Sequence, residues 1–239
     1  MSADCYLMSC RSREDAKLQA RALFGTGEEE EAAGHREGPI DLARYANPLF
    51  WLAAFETGDG FLFDRIRPEE DGLPAERYAV LCFWSPTAAA VKRLKRRREM
   101  ILAYGGEHLD GFYDEWIEFV ETGFPEAILL QPEDISGLEG IENGNGRLAN
   151  AIKTLDSAEA TAGLPDTKVL YQVNAAEEAA SRQRSGERWT PKAYAEFRRF
   201  ALAGSDGDAW PPPPSEVELL AAAAAVEELQ SKKWWKFWA

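Results

Sequence analysis

The sequence predicts a helix-rich α+β protein in which a small sheet of three to five short strands is surrounded by helices. Short apolar runs, typical of buried strands, alternate with longer segments whose apolar residues recur every three or four positions. The chain of 239 residues is 45% hydrophobic and contains 8 tryptophans and 12 phenylalanines. This composition is typical of a chain that folds around a sizeable core and not of a disordered one.

The expected strands are short apolar runs. The run from Tyr78 to Trp84 is apolar almost throughout, which predicts a central strand that is covered on both faces. In chain order the predicted strands are Cys5 to Ser9, Phe61 to Phe63, Tyr78 to Trp84, Ala127 to Gln131 and Lys168 to Val173.

Helix starts are indicated by capping residues. Ser12 followed by Asp15 resembles a capping box, and three later starts combine a capping residue with a proline at the first helical position. These pairs are Asn47-Pro48, Ser85-Pro86 and Thr190-Pro191, which predict helices over residues 48–57, 86–104 and 191–203. The first of these helices could instead begin near Asp41, with Asn47-Pro48 as a kink.

Two further helices follow from apolar spacing. One covers Phe112 to Glu121, and the other starts after Asn145-Gly146 and runs through Leu148, Ile152 and Leu155. The glycine-rich segment Gly140 to Arg147 could present backbone N–H groups to an anion. We favour a turn there, because Asn-Gly pairs are turn formers and the segment lacks a phosphate-binding motif.

The chain divides into a predicted main domain over residues 1–209, a proline-rich linker over 210–214 and a C-terminal part over 215–239. The polar segment over residues 25–39 has no apolar periodicity, which predicts a mobile acidic loop inside the main domain. The run Trp210 to Pro214 cannot be helix interior and marks the boundary. Beyond it, Ser215 caps a helix from Glu216 to about Gln230, which precedes an aromatic tail.

The formal net charge of −14 favours a basic partner, with plain solubility as the simpler alternative. A negative field repels phosphate backbones, so we expect no general nucleic-acid binding, and it speeds encounter with a cationic protein. No secretory signal or transmembrane run is recognisable, and the three cysteines are too few for a disulfide framework. The predicted location is the cytoplasm.

No motif predicts catalysis, a metal or a cofactor. The two histidines, His35 and His108, have no histidine or cysteine at ligand spacing. Neither is accompanied by a recognisable nucleophile motif. We therefore predict no enzymatic activity, no metal site and no cofactor.

Two charged helices are candidate interaction surfaces. Lys92, Arg93, Lys95, Arg96, Arg97 and Arg98 crowd the helix after Pro86. We expect a solvated outer face, with a basic interface toward an acidic groove or RNA as the alternative. The next helix places aromatic residues inward and carboxylates outward. The predicted partner-binding residues are Glu28, Glu29, Glu30 and Glu31 of the loop together with Asp114, Glu115, Trp116, Glu118 and Glu121.

The C-terminal tail is a third candidate surface. Trp234, Trp235, Phe237 and Trp238 lie beside Lys232, Lys233 and Lys236. This composition suits packing back onto the body first, and otherwise a partner or a membrane interface.

Three segments carry a resemblance to known families. Cys5-Tyr6-Leu7-Met8-Ser9, Asn47-Pro48-Leu49-Phe50-Trp51 and Phe124-Pro125-Glu126-Ala127-Ile128-Leu129-Leu130 resemble small bacterial proteins of uncharacterised families. Several of those families act as immunity proteins beside secreted or contact-delivered toxins. The resemblance spans roughly the first 140 residues and assigns no functional residue.

The sequence thus predicts a cytoplasmic immunity protein that binds a cognate toxin and blocks it through protein–protein contacts. One alternative is a small enzyme that uses carboxylates and His108. A second is a scaffold or membrane-peripheral protein that acts through the aromatic tail.

Overall fold

The computed structural model describes residues 4–22, 40–44, 47–67, 76–132, 141–166, 168–170, 189–205 and 210–235. It confirms the α+β class. Five strands form one antiparallel sheet in the order β2-β1-β5-β4-β3. The strands are β1 (Asp4–Cys10), β2 (Ile40–Arg44), β3 (Gly60–Arg67), β4 (Glu76–Pro86) and β5 (Ala127–Gln131).

Helices cover both faces of the sheet and extend beyond it. The helices are α1 (Arg13–Ala22), α2 (Leu49–Leu52), α3 (Thr87–Gly105), α4 (Asp110–Gly123), α5 (Ile141–Thr161), α6 (Pro191–Ala203) and α7 (Glu216–Trp235). Two single 3-10 turns, Thr57–Asp59 and Glu107–Leu109, connect them to neighbouring elements. In the described part of the chain, no helix is both long and apolar enough to span a bilayer.

The sheet separates two apolar clusters. Because side chains alternate between faces along a strand, Leu7 and Leu130 join the large core under α2 to α5, whereas Met8 and Leu129 join a smaller cluster under α1. Both clusters include residues of β4, which explains its nearly continuous apolar sequence. β4 is internal to the sheet, as predicted, with β5 at the centre.

The longer predicted helices and the apolar strands lie where expected. The predicted cap residues Ser12, Thr190 and Ser215 accept hydrogen bonds from backbone N–H groups three residues on, at 3.1, 3.2 and 3.4 Å. Ser85 does not cap α3. Its hydroxyl is buried and accepts from Arg93 at 3.4 Å.

The helix predicted over residues 48–57 is shorter than expected. The alternative, a helix that begins near Asp41, is wrong because that segment is a strand. Ile40–Arg44 is strand β2, and α2 ends at Leu52. The Asn47 side chain does not cap α2 because it accepts the Cys5 thiol at 3.1 Å. The helix does not continue after Leu52. The carbonyl groups of Ala54 and Phe55 instead accept hydrogen bonds from Arg93 and Arg97 of α3.

The predicted turn at Asn145-Gly146 is also wrong, because helix α5 already begins at Ile141. The Asn145 side chain donates to the Ala79 carbonyl at 2.7 Å and accepts from the Leu81 N–H at 2.9 Å. β4 pairs with β5 only over Phe83–Pro86, so the amide of Asn145 replaces the neighbouring strand beyond that point. Here the polar side chain bonds to the sheet and not to its own backbone.

The predicted strand from Lys168 to Val173 begins instead with helical residues 168–170, and its remainder lies outside the described residues. The proline run begins at Trp210, whose ring is 7% exposed and belongs to the large core. It stacks on Phe119 with ring centroids 4.6 Å apart. The division into a main domain, a linker and a C-terminal part stays a prediction.

Candidate functional site

The outer side of α4 carries the carboxylates that were predicted to bind a partner. The side chains of Asp114, Glu115, Glu118 and Glu121 are all exposed. Their spacing of three and four residues places them on one side of the helix. The structure therefore brings these four residues together.

Basic residues of α3 neutralise part of this acidic face. Arg98 donates to Asp114 through two nitrogens at 3.1 and 3.0 Å, and Lys95 lies 3.5 Å from Glu121. Ion pairs between exposed side chains contribute only about 0–1 kcal/mol to stability. They do offset local charge, so the acidic face is less negative than its sequence suggests.

Trp116 does not belong to an accessible surface, which corrects its predicted role as a contact residue. Its side chain is 0% exposed, and its ring packs against Phe119 and Trp210 with centroids 5.6 and 5.8 Å away. A partner that docks on the folded chain cannot reach it. The aromatic residues of α4 build the core, while only its carboxylates face outward.

The basic run of α3 is only in part the solvated face that we expected, because Lys92, Lys95 and Arg96 are exposed but two of the arginines are not. Arg93 and Arg97 are 4% and 1% exposed, so they point into the protein. Arg93 donates to the Ala54 carbonyl and lies 3.0 Å from Asp59 and 3.1 Å from Glu56. A cation at the end of α2 also satisfies carbonyl groups that the short helix leaves without intrahelical partners.

Arg97 makes an even more extensive set of contacts. One nitrogen donates to the Phe55 carbonyl at 2.7 Å, and the others bind Asp156 at 2.5 Å and Glu159 at 2.8 Å. Burial alone raises the pKa of Glu159, but hydrogen bonds from Arg97 and Arg96 outweigh it and hold the pKa below its ordinary value. Arg97 thus joins α2, α3 and α5 and serves stability rather than partner binding.

Lys92 is the basic residue of the run that stays outside these contacts. It is exposed, and it makes no ion pair within the part of the chain that the structure describes. With Lys95 and Arg96 it borders an open groove on α3 that also contains Val91. A continuous basic interface is not present, because Arg93 and Arg97 face the other way.

Arg199 of α6 is a central residue that the sequence analysis missed. It is 1% exposed and binds Glu218 through two hydrogen bonds at 2.8 and 2.5 Å. Its third nitrogen donates to Glu115 at 3.0 Å and to the Pro212 carbonyl at 2.9 Å. The sequence did contain a sign that Arg199 is buried. Arg199 follows Ala195 by four residues and precedes Leu202 by three, which places it on the apolar face of the helix.

Glu218 of α7 accepts two of the hydrogen bonds from Arg199. Burial by itself raises the pKa of Glu218, but hydrogen bonds from Arg199 and Ser215 outweigh that effect and hold the pKa below its ordinary value. The Ser215 hydroxyl and N–H both donate to the carboxylate, at 2.8 and 2.9 Å. Through Arg199, the start of α7 is therefore connected to Glu115 on the acidic face of α4.

The outer face of α7 is the second feature that the sequence analysis missed. Val217 and Leu220 are 59% and 68% exposed, whereas Ala222 and Val226 on the other side of the same helix are buried. Residues 219–226 of α7 are all apolar, and a helical segment that is apolar on every side is normally covered on every side. The run of alanines hid this pattern, because it has no polar residues that mark an outer face.

His108 lies in the 3-10 turn between α3 and α4, where it borders a cavity. Its pKa is lowered first by burial and then by Arg198, while Glu218 acts in the opposite direction. The ring packs over Gly106, where φ is +112° and a Cβ atom would lie 2.6 Å from the imidazole, so only glycine fits at this position. His108 is thus a partly buried imidazole that packs over Gly106, and not the surface residue that a lone loop histidine suggests.

The cysteines face the interior of the fold. Cys5, Cys10 and Cys82 are buried thiols. Burial, followed by the charge of Asp15, raises the pKa of Cys10 to about 12, so this thiol stays protonated at neutral pH. Among the described residues, no three histidine, cysteine or acidic side chains form a group that could hold a metal ion.

Several predicted residues cannot be placed. Glu28, Glu29, Glu30, Glu31 and His35 lie outside the described residues, as do Phe237 and Trp238. The backbone of α7 includes Trp234 and Trp235, but their side chains also fall outside the described part.

Comparison of the chain with protein-family models, with curated proteins and with solved structures found no match.

Proposed function

We propose that this chain is a cytoplasmic binding protein that recognises a basic protein and neutralises it, as an immunity protein neutralises a toxin. The observation that carries the proposal is the exposed apolar face of α7, whose first turn is linked through Arg199 to the carboxylates of α4. The docking surface is defined here as Val217, Leu220 and Ala224 of α7 with Glu115 and Glu118 of α4.

The apolar part of the docking surface is continuous. Val217 and Leu220 are one turn apart, and the exposed Ala224 follows one turn later on the same side. Isolated exposed leucines are ordinary in folded proteins, but a stripe of apolar side chains on one helix face suits a partner. Its burial in a complex would supply most of the affinity.

Arg199 links the carboxylates of α4 to the start of α7. It donates to Glu115 of α4, and it also donates to Glu218 at the start of α7 and to the Pro212 carbonyl. This guanidinium therefore connects the outer side of α4 with the start of α7. Glu118 follows Glu115 by one turn, and within the described chain it makes no ion pair. A basic protein is the occupant that this arrangement favours, because its cations meet the acidic border while its apolar residues meet α7.

The net charge of −14 also favours encounter with a basic protein in solution. Charges at the border of an interface mainly raise the association rate and its salt dependence, whereas buried apolar contacts govern dissociation. Substitutions at Glu118 and at Leu220 should therefore alter different kinetic constants.

The test begins with the partner. The tagged chain is used to capture proteins from the source cells, grown so that the genes beside its own are expressed, and the captured protein is purified. The proposal expects a basic protein that arrests bacterial growth when it is produced alone, and normal growth when this chain is produced with it.

Two matched variants then link neutralisation to the docking surface. Leu220 and Leu164 are both 68% exposed, but Leu164 lies elsewhere, in the segment after α5. Leu220→Asp should abolish rescue of growth, and Leu164→Asp should preserve it. Equal rescue by both variants contradicts the assigned surface, and failure of the wild-type chain to neutralise its purified partner contradicts the function itself.

A further inference from the structure

A cavity borders the side of α7 that carries the buried Ala222, away from the docking surface. It lies between the 3-10 turn Glu107–Leu109, α6 and α7, and its volume is about 160 Å³. A cavity of roughly 150 Å³ can hold a molecule the size of benzene. The space is therefore large enough for a small organic ligand.

Part of the cavity wall is apolar. Leu109 and the alanines Ala221, Ala222 and Ala225 contribute to it. Ala221 and Ala225 are one helical turn apart, and their short side chains leave space that a leucine at either position would fill. This part of the wall suits a hydrocarbon group, because its side chains offer no hydrogen-bond donor or acceptor.

His108 supplies a polar group on the cavity wall that a ligand can use. Its imidazole lines the cavity and packs over Gly106. Within the part of the chain that the structure describes, the ring makes no hydrogen bond. A neutral imidazole has one N–H donor and one acceptor nitrogen, so His108 can form a hydrogen bond with a molecule in the cavity.

The charged side chains that border the cavity are engaged within the protein. Both carboxylate oxygens of Glu218 bind Arg199, at 2.8 and 2.5 Å. Arg198 donates to the Gly105 carbonyl at 3.4 Å and interacts with a further group of the chain. An ionised ligand would leave water without gaining a free counter-charge, which costs free energy, whereas a neutral ligand avoids this cost.

We propose that this cavity binds a small neutral ligand, a phenol or a short alcohol, whose hydrocarbon part is no larger than a single ring. The hydroxyl group bonds to His108, and the hydrocarbon part contacts Leu109 and the alanines of α7. A hydroxyl group both donates and accepts, so it pairs with either tautomer of the imidazole. Ligand pockets characteristically combine such apolar walls with a few polar groups that fix orientation.

Titration of the full-length chain with phenol, followed through the imidazole resonances by NMR, tests the proposal. At about pH 8 the imidazole of His108 is neutral, because burial and the charge of Arg198 hold its pKa below the ordinary 6.5. The chain has two histidines, so the His108→Phe variant identifies the His108 resonance. We expect a saturable shift of that resonance with phenol.

Three further compounds of similar size test the class of ligand. Toluene lacks the hydroxyl group and should bind roughly fivefold more weakly than phenol, the effect of losing one hydrogen bond. Benzoate and benzylammonium each carry a charge and should bind at least about tenfold more weakly than phenol. Isothermal titration calorimetry measures each dissociation constant.

Two variants address the two parts of the wall, and a third is a matched control. Ala225→Leu should abolish phenol binding by filling the cavity. Ala224→Leu makes the same exchange at the next residue, which is exposed and does not line the cavity, and should leave binding unchanged. His108→Phe keeps a ring without its nitrogen atoms, so phenol should bind to it only as weakly as toluene binds to the wild type. Circular dichroism and urea unfolding verify that each variant is folded.

Three results would overturn the proposal. The first is the absence of any saturable shift of the His108 resonance with phenol at millimolar concentration. The second is an equal effect of Ala225→Leu and Ala224→Leu on phenol binding in folded protein. The third is benzoate or benzylammonium binding as tight as that of phenol. None of these results bears on the docking surface, because Leu220 and Glu118 do not line the cavity.

Discussion

Helices α3 and α7 reverse the usual relation between composition and exposure. α3 carries the most basic run of the chain, yet Arg93 and Arg97 are 4% and 1% exposed. α7 is rich in alanine, valine and leucine, yet Val217 and Leu220 are 59% and 68% exposed. α3 buries two of its basic side chains within the fold, whereas α7 leaves two of its large apolar side chains exposed.

The difference shows that the exposure of a side chain follows from how its groups are compensated and not from composition. The arginines of α3 can be buried because carboxylates and backbone carbonyl groups surround them. The exposed side chains of α7 have no comparable cover among the described residues. We therefore expect α3 to govern stability and, on the proposed function, α7 to govern binding, so substitutions should separate the two.

The largest expected effect is on stability and comes from Arg97. Arg97→Ala leaves Asp156 and Glu159 without their buried cation and removes the donor to the Phe55 carbonyl. We expect the free energy of unfolding in urea to fall by about 3–5 kcal/mol. Lys92→Ala, one turn and a half away on the same helix but exposed, should change it by less than about 0.5 kcal/mol. Similar losses in the two variants would mean that burial of Arg97 has no special role.

The next largest effect on the free energy of unfolding is expected at Glu218, and it depends on pH. Glu218→Gln removes the charge from two hydrogen bonds with Arg199, so stability at pH 7 should fall by about 1.5–3 kcal/mol. Because the pKa of Glu218 is lower in the folded state, its contribution is present above the ordinary value of 4.5 and is lost as the pH falls through the folded pKa.

Urea unfolding at a series of pH values checks this sign. The difference between the wild type and Glu218→Gln should shrink as the pH falls below about 4.5. A difference that stays constant down to pH 2 would show that Glu218 acts through packing and not through its charge.

A smaller effect is expected at Asn145, which bonds the free side of β4. Asn145→Ala should lower the free energy of unfolding by about 1–2 kcal/mol, because it leaves the Ala79 carbonyl and the Leu81 N–H without this partner. Asn150→Ala is the matched control, since it makes the same exchange at an exposed position of α5. The control should be neutral or slightly stabilising, because alanine favours helix. Equal effects in the two variants would contradict the role of the Asn145 amide.

The smallest effect on stability is expected on α7. Leu220→Asp should change the free energy of unfolding by less than about 0.5 kcal/mol, because the side chain is exposed. The same variant should weaken the partner complex at least about tenfold, chiefly through faster dissociation. Surface plasmon resonance against the purified partner measures both rate constants, and Glu118→Lys in parallel should mainly slow association.

Local patterns predicted much of the fold but not the role of individual polar side chains. Apolar runs located β4 and β5, and capping residues located the starts of α1, α6 and α7, because these signals depend on neighbouring residues. Asn47 and Asn145 misled the prediction because each bonds to a distant strand. Such long-range compensation has no signature in a single sequence.

The candidate site shows the same limit. The carboxylates of α4 were predicted as an exposed row, and they are exposed, since helical spacing alone determines that outcome. The burial of Trp116 under Trp210, and the exposure of Leu220, depend on where the proline run and α7 pack. Only Arg199 offered a local sign, as a charged residue at an apolar position of α6.

Hydroxyl-radical footprinting of the native chain, read by mass spectrometry, tests the central claim most directly, because it compares exposed and buried leucines in one experiment. Leu220 should be oxidised at a rate close to that of Leu164, which is equally exposed, and far faster than Leu202, which is 3% exposed. In complex with the purified partner, oxidation of Leu220 should fall while that of Leu164 is unchanged. If Leu220 in the free chain is as slow as Leu202, the face of α7 is already covered and the account of the docking surface is wrong.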